Sequence, residues 1–154
     1  YPFRLKHGYK EMMAGSTYAI MPSLYEPFGG ATEPYLVGTP VIARATGGLV
    51  QQVVDVEKNY KDCTGFLYRE ATSPTLGEWS QLENAPTPHR RMTFPTYGAM
   101  VASLAVTLTR AGCLYQNQKQ AYAQMLSNLF LQATQLSWEQ TVAKYSELYE
   151  IARS

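Results

Sequence analysis

The chain has 154 residues, 45% of them apolar, and a formal charge of +1 from 13 Lys and Arg against 12 Asp and Glu. That length allows one ordinary domain with a sizeable core, and the apolar share excludes a disordered chain. The near-neutral balance shows neither the basic stripe of a nucleic-acid binder nor an acidic tail. Cys63 and Cys113 lie far apart and fit no metal-ligand spacing. They read as reduced thiols of a cytoplasmic protein, a disulfide being the alternative. The opening "YPFRLKHGYK" lacks the apolar run of a signal peptide. The most apolar stretch, "AMVASLAVTL" (99–108), is too short to span a bilayer and is expected as a buried helix, so no membrane association is expected.

The predicted elements alternate through the first third. "GYKEMMAGS" (8–16) is a helix ending near Gly15, and "TYAIMPS" (17–23) a strand stopped by Pro22. "TEPYLV" (32–37) is a short helix that tolerates Pro34 only in its first turn. "TPVIAR" (39–44) is a second strand, "LVQQVVD" (49–55) a helix and "TGFLY" (64–68) a third strand. Alternation at this spacing predicts an α/β fold with a parallel sheet and flanking helices. Residues 69–98 carry four prolines and no clean periodicity, and are expected to be a long loop or insertion with a turn of helix near Glu78–Leu82. The last third, 97–154, is helical. One helix spans 97–112 and ends at Gly112, a second spans 117–135, and a third starts at Ser137, with Gln140 completing a capping-box pattern. Trp138, Val142, Tyr145 and Tyr149 share one face of that last helix, and its aromatic residues Trp138, Tyr145 and Tyr149 are expected in the core. The whole of 1–154 is read as a single domain.

The stretch from Met21 to Val50 concentrates Gly29, Gly30, Gly47 and Gly48 around two carboxylates, Glu26 and Glu33. Glycine at a strand-to-helix turn lets backbone approach a ligand, and the free N–H groups that open a helix suit phosphate. Gly29 and Gly30 would form one such turn, with amides from Gly30 to Glu33, and Gly47-Gly48 a second on the same sheet edge. Two such turns at the carboxyl ends of parallel strands line the kind of crevice where α/β folds bind ligands. Glu26 would project from a strand end beside Glu33, where carboxylates suit sugar or ribose hydroxyls or an acid and base pair. The alternatives are glycine turns without a ligand and a Glu33 placed merely by the helix dipole. His7 and His89 are isolated, no metal-ligand set stands out, and Lys58, Lys61, Arg90 and Arg91 read as solvated.

Three steps within this stretch, Pro22-Ser23-Leu24-Tyr25-Glu26-Pro27-Phe28-Gly29, Gly38-Thr39-Pro40 and Thr46-Gly47-Gly48-Leu49, resemble the motifs of bacterial glycogen synthases and plant starch synthases. The final "LSWEQTVAKYSELYE" (136–150) is similar to the terminal helix of those enzymes. The resemblance covers roughly 8–68 and 97–152. It implies the C-terminal, nucleotide-sugar-binding lobe of a GT-B fold, whose active site lies between two Rossmann-like lobes. It implies retaining transfer of glucose from ADP- or UDP-glucose to an α-1,4-glucan. Glu26 matches the active-site glutamate that supports the developing positive charge. Phe28, Gly29, Gly30 and Ala31 match the segment along the donor sugar and diphosphate, with Thr46, Gly47 and Gly48 beside it. Glu33 matches a ribose-holding glutamate if one deletion is allowed.

No cofactor beyond the nucleotide sugar and no metal is implied. The Arg and Lys that hold the diphosphate in those enzymes would precede Tyr1, and the acceptor lobe with its Lys-x-Gly-Gly motif has no counterpart here. The chain is therefore expected to be part of one lobe, inactive alone, with a sheet edge that pairs in a dimer or is covered by a helix. The alternatives are a GT-B lobe with another donor or acceptor, and a non-catalytic carbohydrate-binding or assembly module.

Overall fold

The computed structural model describes residues 8–27 and 30–153. At its centre β1 (Ala19–Met21), β2 (Val41–Arg44) and β3 (Gly65–Tyr68) form a parallel sheet in the order β1-β2-β3. Ala19 lies opposite Val41, Ile42 opposite Phe66 and Arg44 opposite Tyr68. Every residue of β2 is buried, as expected of a central parallel strand covered on both faces. Ile42 packs into one cluster with Phe66, Tyr68, Ala111, Leu114 and Met125. Val41 and Ala43 pack into the other with Tyr35, Leu49, Val53 and Leu129. The split follows the two-residue period of a strand. Each fully buried Ile or Leu stabilises the sheet by about 1.5–3 kcal/mol. Between neighbouring strands the packing is close enough that a Cβ on Gly65 would stand 2.1 Å from the Val41 carbonyl oxygen.

Two short helices make the crossovers. α2 (Thr32–Leu36) follows β1 and α3 (Leu49–Gln52) follows β2, while α1 (Tyr9–Ala14) precedes the sheet. Pro34 sits in the first turn of α2, where its missing N–H costs nothing. Tyr35 is fully buried and its hydroxyl bonds the Gln52 carbonyl oxygen at 3.2 Å and Thr64 Oγ1 at 2.9 Å. α3 is shorter than the 49–55 helix the sequence suggests. Val53 turns extended, and the Val54 N–H and carbonyl both bond Thr64, so Asp55 reaches a parallel bridge to Gly65. Two adjacent β-branched valines favour that pairing over another turn of helix.

The 69–98 segment differs from the expected loop. It contains α4 (Leu76–Glu83), α5 (Pro88–Arg91) and the start of α6 (Pro95–Asn117). α4 opens with a complete capping box: the Glu78 N–H donates to Thr75 Oγ1, and the Thr75 N–H donates to Glu78 Oε2 at 2.7 Å. α6 also departs from expectation by running through Gly112. Ala111 and Leu114 pack on the sheet to either side of it, which outweighs the roughly 1 kcal/mol that an interior glycine costs. At 23 residues α6 is long and apolar enough to meet a length-and-composition criterion for crossing a membrane, and only part of it is buried, a second departure from the reading of 99–108. In the fold it lies along β2, β3, α4 and α7 (Lys119–Gln135).

The largest difference concerns α8 (Trp138–Arg153). The Gln140 N–H donates to Ser137 Oγ at 3.3 Å, as the capping pattern suggests. Yet Trp138, Val142, Tyr145 and Tyr149 are exposed and α8 has no buried residue. Helical spacing identifies an apolar face, and nothing among the described residues covers this one. β1 forms one edge of the sheet; among the described residues no further strand pairs with it, and Ile20 is about half exposed.

Candidate functional site

The chain leaves β1 at Met21 and runs through 22–27 over the carboxyl ends of the strands. Its backbone is held by the segment that leaves β2. The Gly48 N–H donates to the Glu26 carbonyl oxygen at 2.6 Å. Gly47 lies directly behind that bond at φ +48°, and a Cβ there would stand 2.0 Å from the Glu26 oxygen. Two residues earlier, Thr46 Oγ1 donates to the Leu24 carbonyl oxygen at 3.2 Å. The second glycine turn is therefore packed against the backbone of Glu26.

The Glu26 carboxyl lies against Gly30: a Cβ on Gly30 would be 3.3 Å from Glu26 Cδ and 3.5 Å from Met21 Sδ. Glu26, Gly30, Thr46, Gly47 and Gly48 thus share one neighbourhood. Phe28 and Gly29, the remaining members of the first turn, lie outside the described residues, as does His7. Ala31 is fully buried and its N–H is taken by Gln52 Oε1 at 3.1 Å, so this amide is committed within the protein. Glu33 is exposed, accepts a long hydrogen bond from the Tyr9 hydroxyl at 3.4 Å, and lines a groove of about 320 Å³ with Lys10, Met13 and Leu36. α2 has five residues and α3 four, each about one turn. Helices this short carry little macrodipole, so individual amides rather than a summed dipole would meet an anion.

Beneath the loop lies a group that sequence reasoning missed. Arg44 ends β2 almost fully buried and forms a two-pronged pair with Glu70, Nε to Oε1 at 2.6 Å and Nη2 to Oε2 at 3.1 Å. Its Nη1 donates to the Leu24 carbonyl oxygen at 2.9 Å, and Trp79 of α4 stacks on the guanidinium at 4.5 Å from the ring centroid. Burial by itself would raise the Glu70 carboxyl, but the hydrogen bonds and charge of Arg44 hold it below the usual carboxylate range. The signal in the sequence was an arginine at the end of an otherwise apolar strand, "VIAR", which demands a buried partner. Lys58, Lys61, His89 and Arg90 are exposed, and Arg91 is half-buried with Nη2 on the Glu83 carbonyl oxygen. Among the described residues no group of three His, Cys, Asp or Glu side chains comes together to hold a metal ion.

A parallel βα unit with a helical C-terminal stretch, and with Glu26 packed against Gly30 and the Gly47–Gly48 turn at the strand ends, has the fold of part of a GT-B glycosyltransferase. The chain matches sucrose-phosphate synthase from Thermosynechococcus elongatus with a TM-score of 0.54 and 25% identity, over 93% of this chain and 27% of that one. In sequence it is similar to glycogen synthases. It is 28% identical to the enzyme of Thermosipho melanesiensis over 94% of this chain, and 29% identical to that of Vibrio cholerae over 99%. A higher identity, 42%, extends over 49% of the chain in glycogen synthase 2 of Nitrosococcus oceani. No protein-family model matches the chain. The chain spans about a quarter of the length of the glycogen synthases it matches nearly end to end, 24% and 25% in the first two cases. The chain is thus similar in sequence to glycogen synthases and has the fold of part of a GT-B glycosyltransferase.

Proposed function

We propose that this chain is the donor-binding part of a retaining glucosyltransferase that moves glucose from ADP- or UDP-glucose to an α-1,4-glucan. The observation that carries the reading is the fixing of Glu26 by the Gly47–Gly48 turn, with the Gly48 N–H on its carbonyl oxygen at 2.6 Å and no room for a side chain at Gly47. A glutamate whose backbone is fixed at a strand end suits one task above others, bringing its carboxylate to oppose positive charge that develops at one point on the donor sugar. Gly30, against the Glu26 carboxyl, leaves space for the sugar, and Phe28 and Gly29 serve the sugar and diphosphate as the resemblance implies. Thr46, Gly47 and Gly48 flank the donor from the second strand end. Glu33 receives the ribose hydroxyls from the α1–α2 groove. The nucleotide sugar is the substrate, and neither metal nor cofactor is required. The acceptor glucan meets the opposite lobe of the full-length cytoplasmic protein. The chain alone is inactive, and its β1 edge, unpaired among the described residues, allows pairing with a second copy.

The test is transfer by the full-length protein from ADP-glucose and UDP-glucose to a glucan primer, with the anomeric configuration of the product followed by proton NMR. The reading requires an α-linked product from one donor by preference. No transfer from either donor, or a β-linked product, overturns it. The likeness to sucrose-phosphate synthase favours one second reading, the same chemistry with a smaller acceptor. Transfer to a soluble sugar phosphate in preference to the glucan would select it.

A further inference from the structure

We propose that Arg44, Glu70 and Trp79 form a clamp that positions Glu26, which makes α4 part of the site's support. All three directions of the Arg44 guanidinium are used: Nε and Nη2 on Glu70, Nη1 on the Leu24 carbonyl oxygen, and one face on Trp79. A planar fork can satisfy these together; the ammonium of lysine cannot. Leu24 stands two residues before Glu26, and the next two contacts come from the same outgoing segment, Thr46 on Leu24 and Gly48 on Glu26. The carbonyls at 24 and 26 are thus both fixed by residues 44–48, whose own position depends on the buried pair.

Trp79 is supplied by α4, which is set by the Thr75–Glu78 capping box and by Leu82, fully buried. A buried ion pair is weak evidence of stabilisation by itself, since apolar residues of similar volume often serve as well. Its geometry here, aimed at the backbone of the Glu26 loop, favours positioning. The catalytic consequence rests on the role proposed above for Glu26, whereas the clamp itself is a statement about backbone order.

The experiment is hydrogen–deuterium exchange with mass-spectrometric readout on the full-length protein, comparing Arg44→Lys, Trp79→Leu and Trp79→Phe, alongside kcat and donor KM. The clamp predicts exchange about tenfold faster in 22–27 and 46–50 for Arg44→Lys and Trp79→Leu, with 62–68 unchanged and with Trp79→Phe restoring order through its aromatic face. It also predicts a kcat about tenfold lower with donor KM nearly constant, as loss of transition-state geometry requires. Unchanged exchange in the loop, or equal loosening of the whole sheet, overturns the proposal, as does selective loosening with kcat intact. If the wild-type protein transfers no sugar, the functional reading falls and the exchange pattern alone decides the clamp. Should Arg44→Lys fail to fold, Trp79→Leu carries the test, because it leaves the ion pair in place.

Discussion

At Gly47 a single methyl group would collide with the Glu26 carbonyl oxygen, on a backbone already in the left-handed region at φ +48°. Left-handed geometry costs a non-glycine residue about 1–2 kcal/mol, and the collision adds displacement of the 22–27 loop. Gly47→Ala is therefore expected to lower stability by about 2 kcal/mol or more, read as a fall in urea midpoint. An unchanged midpoint would mean the turn is not held against Glu26.

The Arg44–Glu70 pair makes a second residue-scale prediction. Removing one partner alone leaves an uncompensated buried charge, so Arg44→Met should cost about 3–5 kcal/mol, and adding Glu70→Leu should recover most of it. The Glu70 carboxyl titrates below its ordinary range in the folded state. Its contribution is thus present above the unfolded value of roughly 4.3 and is lost as pH falls through the lower, folded one. The urea midpoint of Glu70→Gln should fall less steeply with acid than that of the wild type. Parallel acid limbs would contradict this.

The motif residues Glu26, Gly30, Gly47 and Gly48 were legible in the sequence as a group. What Gly47 does was not, because its reason is a contact with backbone 21 residues earlier rather than local turn chemistry. Arg44 and Glu70, 26 residues apart, meet only once the register of β2 and β3 is known.

At the scale of elements, alternation in the first half marked all three strands and the helices between them, since two-residue and helical periods are local properties. Helix ends were less visible. Gly112 carries the sequence mark of a helix end, yet packing of Ala111 and Leu114 continues α6 to Asn117. A Cβ at Gly112 would meet nothing within 4 Å. Gly112→Ala should therefore raise stability by about 0.5–1 kcal/mol, seen as a higher Tm. A lower Tm would place the helix end where the sequence suggested it. The capping box of α4 was also present in the sequence, as Thr75 and Glu78, but four prolines between 69 and 98 masked it. The stripe on α8 was correctly periodic and wrongly assigned to the core. Amphipathic spacing says that a face is apolar, not that this chain covers it.

At the scale of the molecule, the described residues build a small sheet whose interior holds several tyrosine hydroxyls. Burial pushes Tyr68 up to about 12, with Arg44 opposing the shift, and burial raises Tyr18 and Tyr35 as well. A tyrosine whose folded pKa is raised contributes stability that is complete below its unfolded value near 10 and is lost as pH rises through the folded one. The urea midpoint is expected to hold up to about pH 9 and then to fall steeply. A flat profile to pH 12 would show that these hydroxyls are open to solvent.

In the proposed function Glu26, its backbone fixed by the Gly48 N–H, serves the transferred sugar. The most direct measurement is kcat for glucose transfer by the full-length protein and its Glu26→Gln variant, with donor affinity measured in parallel by calorimetry. The account predicts a kcat about 100-fold or more lower with donor affinity changed little, because the lost charge acts on the transition state. Transfer at the wild-type rate by Glu26→Gln would contradict it.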